Sequence, residues 1–269
     1  IEIMYKIKFN TFKYIFYILI IINIIIVSYI YIKPLLNIFG IFEIFDNSNN
    51  IDNNKKVTID AFFQCYNQVR AADKAFESYR SCYPDGKVIM INDGGDKAMK
   101  DVANKYNAIY YYMPNIGIYH WKKPTEWLER FFNAIENFDS DYFIMQEEDV
   151  FHIRPVDHSK LIYDICGTNP DAKLPQVLVE YTGQTNYSGS GGCFFRTAFF
   201  KKISKTNWQK HIERIPPEWL HADIVLSVVT YMNGGTIGYC TECVELDRPE
   251  YETNKNPAVI HQYKKYYDK

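Results

Sequence analysis

The chain has 269 residues, a formal net charge of −2, 47% hydrophobic residues and 17% aromatic residues. With no basic excess to neutralise a phosphate backbone, nucleic acid is set aside as a partner. From Val57 onward there is enough chain for one good core and not obviously two.

The first element in the chain is an almost uninterrupted apolar run from Tyr14 to Ile32. Roughly 20 such residues cross a bilayer as a helix. Lys6, Lys8 and Lys13 precede the run and tyrosines sit at both ends, as at a membrane interface. The apolar core is long and no small-x-small cleavage site follows, so the reading is an uncleaved signal anchor. The expected layout is a cytoplasmic tail at 1–13, a transmembrane helix at 14–32, a polar stem at 33–56 and a folded domain at 57–269. That single-pass type II topology puts the domain in a Golgi- or ER-like lumen or its equivalent, a viral or protist host membrane included. Lys33, Lys55 and Lys56 on the far side weaken the charge asymmetry behind this orientation.

The domain begins with a strand at Val57–Phe63, breaking into Gln64-Cys-Tyr-Asn67. Asn67 reads as a helix N-cap. Val69, Ala72, Phe76, Tyr79 and Tyr83 then recur at helical spacing. Pro84-Asp-Gly86 turns the chain into a second strand, Lys87–Ile91, which ends at Asn92-Asp-Gly-Gly-Asp96, from which another helix starts. A third strand fits Ala108–Met113, and a helix at about 125–138 turns Leu128, Phe131, Phe132, Ile135 and Phe138 inward. Next comes Tyr142-Phe-Ile-Met145, a buried strand running into Glu147-Glu148-Asp149. Further on, Gln176–Tyr181 reads as a strand, Ser188–Gly192 as a tight loop, Thr197–Ile203 as a short helix and Glu218–Met232 as a longer one. A short strand at Pro257–His261 ends in a histidine. Alternation of this kind predicts an α/β fold, a Rossmann-like and mainly parallel sheet flanked by helices.

Ligands of such sheets bind beyond the C-terminal ends of the strands. Gln64–Asn67, Asn92–Asp96 and Glu147–Asp149 are therefore expected to converge. Carboxylates crowded at one strand end repel one another, and a divalent cation is the usual remedy; a solvated acidic turn is the alternative. Asp139-Ser-Asp141 precedes its strand, belongs at the opposite edge and is rejected as a metal site. The six cysteines include Cys240-Thr-Glu-Cys243, but a structural zinc site needs four ligands and no second such pair exists. In a lumenal domain one or two disulfides and glycosylation at Asn186-Tyr-Ser188 are compatible with the sequence.

Taken in order, four segments over Val57–Tyr263 resemble the nucleotide-sugar-dependent glycosyltransferases of the GT-A fold, family 2-like. Phe62-Phe-Gln-Cys-Tyr-Asn67 resembles the first nucleotide-binding strand, and Ile91-Asn-Asp93-Gly-Gly the second. Arg130–Asn137 with the strand to Val150 resembles the approach to the family's Asp-x-Asp motif. Here the motif is Glu-Glu-Asp, similar to the variant of N-acetylglucosaminyltransferase I-like enzymes. Ser190-Gly-Gly-Cys-Phe-Phe-Arg and Trp219-Leu-His-Ala-Asp223 resemble the acceptor half.

The resemblance implies a divalent metal, Mn2+ or Mg2+, held by Asp149, Glu147 and His261, and a nucleotide-sugar donor, UDP-linked in preference. Gln64, Tyr66, Asn67, Asp93, Glu147, Glu148, Gly191 and Gly192 would contact that donor, Asp93 by accepting a hydrogen bond from uracil. Asp223 would be the general base of an inverting transfer to a glycan or glycoprotein, with Glu218 or His221 as alternatives. Its place near a helix start favours the charged form. A retaining transfer stays open, because the sequence does not fix which sugar face is attacked. His120, Trp121 and Trp219 are candidates for stacking on sugar, and Lys122, Lys123 and Arg130 for the pyrophosphate. On that helix-rich stretch a solvated face is the commoner role of such cations. A catalytically silent glycan- or nucleotide-binding protein on the same fold is the rival reading.

Overall fold

The computed structural model describes residues 58–116, 123–168, 172–189, 191–246 and 248–267. The expected tail, transmembrane helix and stem lie outside the described residues, as do His120, Trp121, Lys122 and Ser190. Among the described residues no helix is long and apolar enough to cross a membrane.

The first half alternates as the sequence predicts: β1 (Ile59–Cys65), α1 (Val69–Cys82), β2 (Val88–Asn92), α2 (Met99–Lys105), β3 (Ile109–Tyr112), α3 (Pro124–Ile135) and β4 (Tyr142–Gln146). The second half is built of shorter pieces. These are β5 (Phe151–His152), β6 (Ile165–Gly167), α4 (Gln176–Thr182), β7 (Phe194–Arg196), α5 (Thr197–Phe200) and α6 (Lys205–Ile212). After them come α7 (Ala222–Met232), β8 (Ile237–Tyr239), β9 (Cys243–Glu245), α8 (Pro249–Thr253) and β10 (Val259–His261).

Seven strands form a mixed, mainly parallel sheet in the order β3-β2-β1-β4-β7-β6-β8, with β7 antiparallel to both neighbours. A smaller sheet, β5-β10-β9, stands beside it. Both faces of β1 are covered, which explains its near-continuous apolar sequence. Phe63 meets Phe76 of α1 on one face, ring centroids 4.7 Å apart, and Phe62 meets Phe131 of α3 on the other at 5.4 Å. Burying a side chain of this size contributes roughly 1.5–3 kcal/mol. Across the antiparallel pair β4–β7, Phe143 lies opposite Phe195 and stacks on it at 5.1 Å. At the N-terminal edge of the parallel strands, buried Asp60 accepts the amides of Lys87 (2.7 Å), Asp139 (2.9 Å) and Ser140 (3.1 Å). The Asp139-Ser-Asp141 pattern therefore sits at the edge away from the strand ends, its Asp139 paired with Lys87 at 2.8 Å.

Three expectations need correction. Gln176–Tyr181 is helical, not extended: Pro175 leads in and Gly183, at φ +70°, closes the turn through its amide to the Val179 carbonyl at 2.8 Å. Only Leu178 of this segment is fully buried while Val177 is 47% exposed, a one-sided pattern that a half-buried strand would not leave. Asn67 is exposed and does not cap α1; Gln68 holds the N-cap position without a side-chain hydrogen bond. The helix expected from Glu218 is broken, a single 3-10 turn at Pro217–Trp219 followed by His221 in an extended conformation before α7 starts.

Beneath the junction of the two sheets, His152 packs edge-on against Tyr79 and Tyr83, both at 5.5 Å, with Nε2 2.8 Å from Gln146 Oε1. Burial pushes its pKa from 6.5 down to about 3. A base lowered on folding gives its full contribution above its unfolded pKa and loses it as pH falls from about 6.5 toward 3. At pH 4.5 the loss is roughly 3 kcal/mol. The His152→Phe variant should show a correspondingly flatter fall in unfolding free energy between pH 7 and 4.5 in urea titrations. Parallel profiles for the two proteins would refute the assignment.

Candidate metal and nucleotide site

The parallel register sets the site. Cys65 lies opposite Asn92 and Phe63 opposite Gln146, so the chain leaves β1, β2 and β4 at one edge. Gln64, Cys65, Tyr66, Asp93, Glu147, Glu148, Asp149 and Tyr267 line a cleft of about 170 Å³ there. Gln64 is oriented by Trp127, whose indole Nε1 donates to its Oε1 at 2.7 Å. Asp93 is buried, and its Oδ1 accepts from Arg130 Nη1 at 2.7 Å and from the Ile116 amide at 3.1 Å. Arg130 is thus a mostly buried partner of Asp93 rather than part of a solvated face, and it also donates to the Pro114 carbonyl at 2.6 Å.

The three consecutive acidic residues divide their work. Glu148 Oε1 accepts the backbone amides of Tyr66 (2.7 Å) and Gln68 (3.3 Å), tying the β4 end to the loop entering α1. Burial pushes its carboxyl up to about 7 even though these amides act the other way. Glu147 and Asp149, two apart, face the histidine that ends β10. His261 Nε2 is 3.7 Å from Glu147 Oε2 and 3.8 Å from Asp149 Oδ1. Among the described residues, this is the cluster whose ligating atoms lie within 4.8 Å of one another. Two carboxylates and an imidazole suit Mn2+ or Mg2+ with waters completing the shell. The 3.7 and 3.8 Å separations are shorter than twice a metal–ligand bond of roughly 2.1 Å, so one ion can be shared.

Protonation in the cluster expresses the same crowding. Burial, and then Glu147, raise Asp149. Burial disfavours a charged His261, but Glu147 and Glu245 outweigh it and push the ring up to about 10. A bound cation would replace that proton as the charge that holds the carboxylates together.

Beyond the triad, the glycine loop hangs from β4: the Gly192 amide donates to the Met145 carbonyl at 2.8 Å. A side chain on Gly191 would place Cβ 2.7 Å from Glu147 Oε2 and 3.0 Å from His261 Nε2, so any larger residue there requires the Glu147 carboxylate to shift. Gly192, at φ +78°, lies against Thr168 and His261. Asp223, in the first turn of α7, is mostly buried and shares the field of Glu147. The helix start does not leave its carboxyl at the usual value: burial raises it, against the Ile224 amide that donates to Oδ1 at 2.9 Å. Ser227 on the same helix has its one hydroxyl proton within reach of both the Ser188 and the Asp223 carbonyl and accepts the Ser188 amide at 2.8 Å, locking α7 to the glycine loop. Of the alternatives, Glu218 is exposed on the 3-10 turn, and His221 is near enough to Asp223 to act on its charge.

Two groups near the triad escape sequence reasoning. Glu245 of β9 reaches His261, and Tyr267 lines the cleft, where burial and the carboxylates of Asp149, Glu148 and Glu147 raise its phenol. A carboxylate in the apolar run Cys243-Val-Glu-Leu is a recognisable signal for the first; Tyr267 has none. All six cysteines are free thiols, five of them buried.

No protein-family model and no curated protein sequence matches the chain. Solved structures do. A galactosyltransferase, LgtC, in complex with donor and acceptor sugar analogues is 12% identical over 75% of this chain and 86% of its own, with a TM-score of 0.46. The bifunctional glycosyltransferase WbbM is 8% identical over 78% of this chain and 46% of its own, at 0.47. The glycosyltransferase GlyE of Streptococcus pneumoniae TIGR4 is 11% identical over 77% and 54%, at 0.43.

The close fit at Gly191 is directly testable. Gly191→Ala should displace Glu147 and weaken Mn2+ binding by at least about tenfold, because the nearest atoms are the ligating ones. Calorimetric titration with Mn2+, beside a thermal unfolding curve showing a folded variant, checks this. Wild-type affinity would mean that the loop yields.

Proposed function

We propose that this chain is a metal-dependent glycosyltransferase of the GT-A arrangement. It would move a sugar from a nucleoside diphosphate donor, UDP-linked in preference, to a hydroxyl of a glycan or glycoprotein. The observation that carries this reading is the Glu147–Asp149–His261 cluster, which opens into a cleft walled by the ends of β1 and β2. The sequence resemblance, with its four segments in order, points the same way.

When bound, the divalent ion supplies positive charge against the diphosphate leaving group. The chain's own residues do the rest. Glu147, Asp149 and His261 would hold the ion, and Gln64, Tyr66 and Asp93 would wall the nucleoside. Gly191 and Gly192 let backbone approach the transferred sugar. Asp223 would take the proton from the attacking hydroxyl; a carboxyl raised by burial is a better base than a solvated one. On this reading the domain is carried on the 14–32 anchor in a lumenal compartment. A nucleotidyltransferase is less favoured, since Gln64-Cys-Tyr-Asn-Gln68, the end of β1 and the loop that follows, holds neither glycine nor a cation to cradle a triphosphate.

The cleft of about 170 Å³ is smaller than the roughly 300–1,000 Å³ of ordinary small-molecule sites. Tyr267 is one of its walls, so on this reading its ring limits the room left for a donor. The turn that carries Tyr267 is fastened by the Tyr263 amide to the Asp149 carbonyl at 2.9 Å and by the rings of Phe151, Tyr263 and Tyr266.

Three variants test the reading. Asp149→Ala should abolish Mn2+-dependent UDP binding and donor hydrolysis while the protein stays folded; unchanged turnover would remove the metal assignment. Asp223→Asn should keep UDP–Mn2+ affinity and lower kcat by about 10²–10⁴. A donor-binding protein with no turnover in the wild type would instead favour the catalytically silent alternative. Tyr267→Ala should tighten UDP–Mn2+ binding several-fold in calorimetry, and weaker binding would show that the ring serves the nucleotide rather than excluding it.

A further inference from the structure

On the far side of His261 from the acidic pair lies a second carboxylate. β9 and β10 run parallel with Glu245 and His261 in direct register, so their side chains leave the small sheet on the same face. The Leu246 amide donates to the His261 carbonyl at 3.0 Å and fixes that register. Glu245 Oε1 lies 3.6 Å from His261 Nδ1, an ion-pair separation, and Nδ1 is buried without a hydrogen-bond partner. Glu245 itself is buried and held on both oxygens. Thr168 Oγ1 donates to Oε1 at 3.1 Å and Arg248 Nε to Oε2 at 3.1 Å. Thr168 also touches the site of the glycine loop, its methyl group 3.2 Å from where a Cβ on Gly192 would stand.

We infer that Glu245 is the positioning residue of the metal site. It keeps the Nδ1 proton of His261, and so turns the Nε2 lone pair toward the ion shared with Glu147 and Asp149. The inference rests on the metal reading of that triad. An imidazole can bind a cation only through the nitrogen that carries no proton, and the partner of the other nitrogen decides which one that is. A buried carboxylate on Nδ1 makes that choice and raises the basicity of Nε2. Its placement explains why a charged residue occurs inside a three-residue strand otherwise made of Cys243 and Val244. It also accounts for Thr168 and Arg248, which stop Glu245 from turning away and balance a charge that would otherwise be unpaired in the interior.

The test compares Glu245→Gln, Glu245→Leu and Thr168→Val with wild type. Free Mn2+ is counted by electron paramagnetic resonance during titration of each full-length protein, without nucleotide. Glu245→Leu should weaken Mn2+ affinity by roughly 10–100-fold, the usual effect of losing such a partner. Glu245→Gln keeps an oxygen that accepts from Nδ1–H, so it should recover most of the affinity. Thr168→Val should fall between the two. Nitrogen-15 spectra of His261 with Mg2+ bound should show the proton on Nδ1 in the wild type and a mixture of tautomers in Glu245→Leu. A merely structural role would lower thermal stability in Glu245→Leu and leave both the affinity and the tautomer unchanged, which overturns the inference. Equal losses for Gln and Leu overturn it as well. Should the wild type bind no Mn2+, the metal reading itself fails; a wild type that binds beside unaffected Glu245 variants sinks the inference about Glu245 alone.

Discussion

The crowding of negative charge beyond β4 is the constraint from which the rest of the site follows. Glu147, Glu148 and Asp149 leave the strand together, with Asp223 within the field of Glu147. Partly buried carboxylates so close cannot all stay ionised without compensation. The structure supplies that compensation in three forms: backbone amides for Glu148, the His261 ring for Glu147 and Asp149, and a raised proton affinity on what remains. Each form draws a distant part of the chain to one edge of the sheet. The loop before α1 is held by Glu148, the small sheet is held by His261, and the glycine loop fits against Glu147 because it lacks a side chain.

That convergence also shows why the fold has two sheets. The parallel core brings β1, β2 and β4 to a common edge by register alone, but among the described residues these strands and the turns that follow them carry no imidazole. β10 enters from the small sheet, pairing with β5 just beyond the acidic turn, and this pairing carries His261 to the cluster. The intervening turn is closed by the Tyr263 amide on the Asp149 carbonyl, so the ligand from the acidic turn and the segment after β10 are fastened to each other. Stability of the small sheet and completeness of the triad are therefore one property.

The first half of the domain was legible in the sequence because its elements are long enough to show a period. β1, β2 and β4 each present a near-continuous apolar run, as strands buried on both faces do, and α1 and α3 an apolar spacing of helical period. The second half was not, since β5, β6, β8 and β9 have two or three residues each and owe their conformation to their neighbours. Gln176–Tyr181 shows the limit from the other side: β-branched and aromatic residues favour a strand locally, yet Pro175 and Gly183 bracket a helix. The triad could be assembled from sequence order and chemical type. Glu245 is marked in the sequence only as a carboxylate in an apolar run, and neither its place at the site nor that of Tyr267 could be read, because what brings them in is a register between two short strands and the path of a turn, neither of which has a periodic signature.

The division of labour within Glu147-Glu148-Asp149 gives the acidic motif a physical reading. Glu147 to Val150 form a tight turn closed by the Val150 amide on the Glu147 carbonyl at 3.2 Å, and its contacts divide the three acidic side chains between two sides. Glu147 and Asp149 thereby share one side with His261, and position 148 is turned toward the first loop. A residue with no acceptor oxygen there would leave the amides of Tyr66 and Gln68 without their acceptor, and Gln64–Tyr66 form a wall of the cleft. The longer side chain of Glu148 spans from β4 to the loop after β1. Its length, which at first sight departs from an Asp-x-Asp pattern, is what lets one acidic turn both build a candidate metal site and hold the loop that walls the nucleotide cleft.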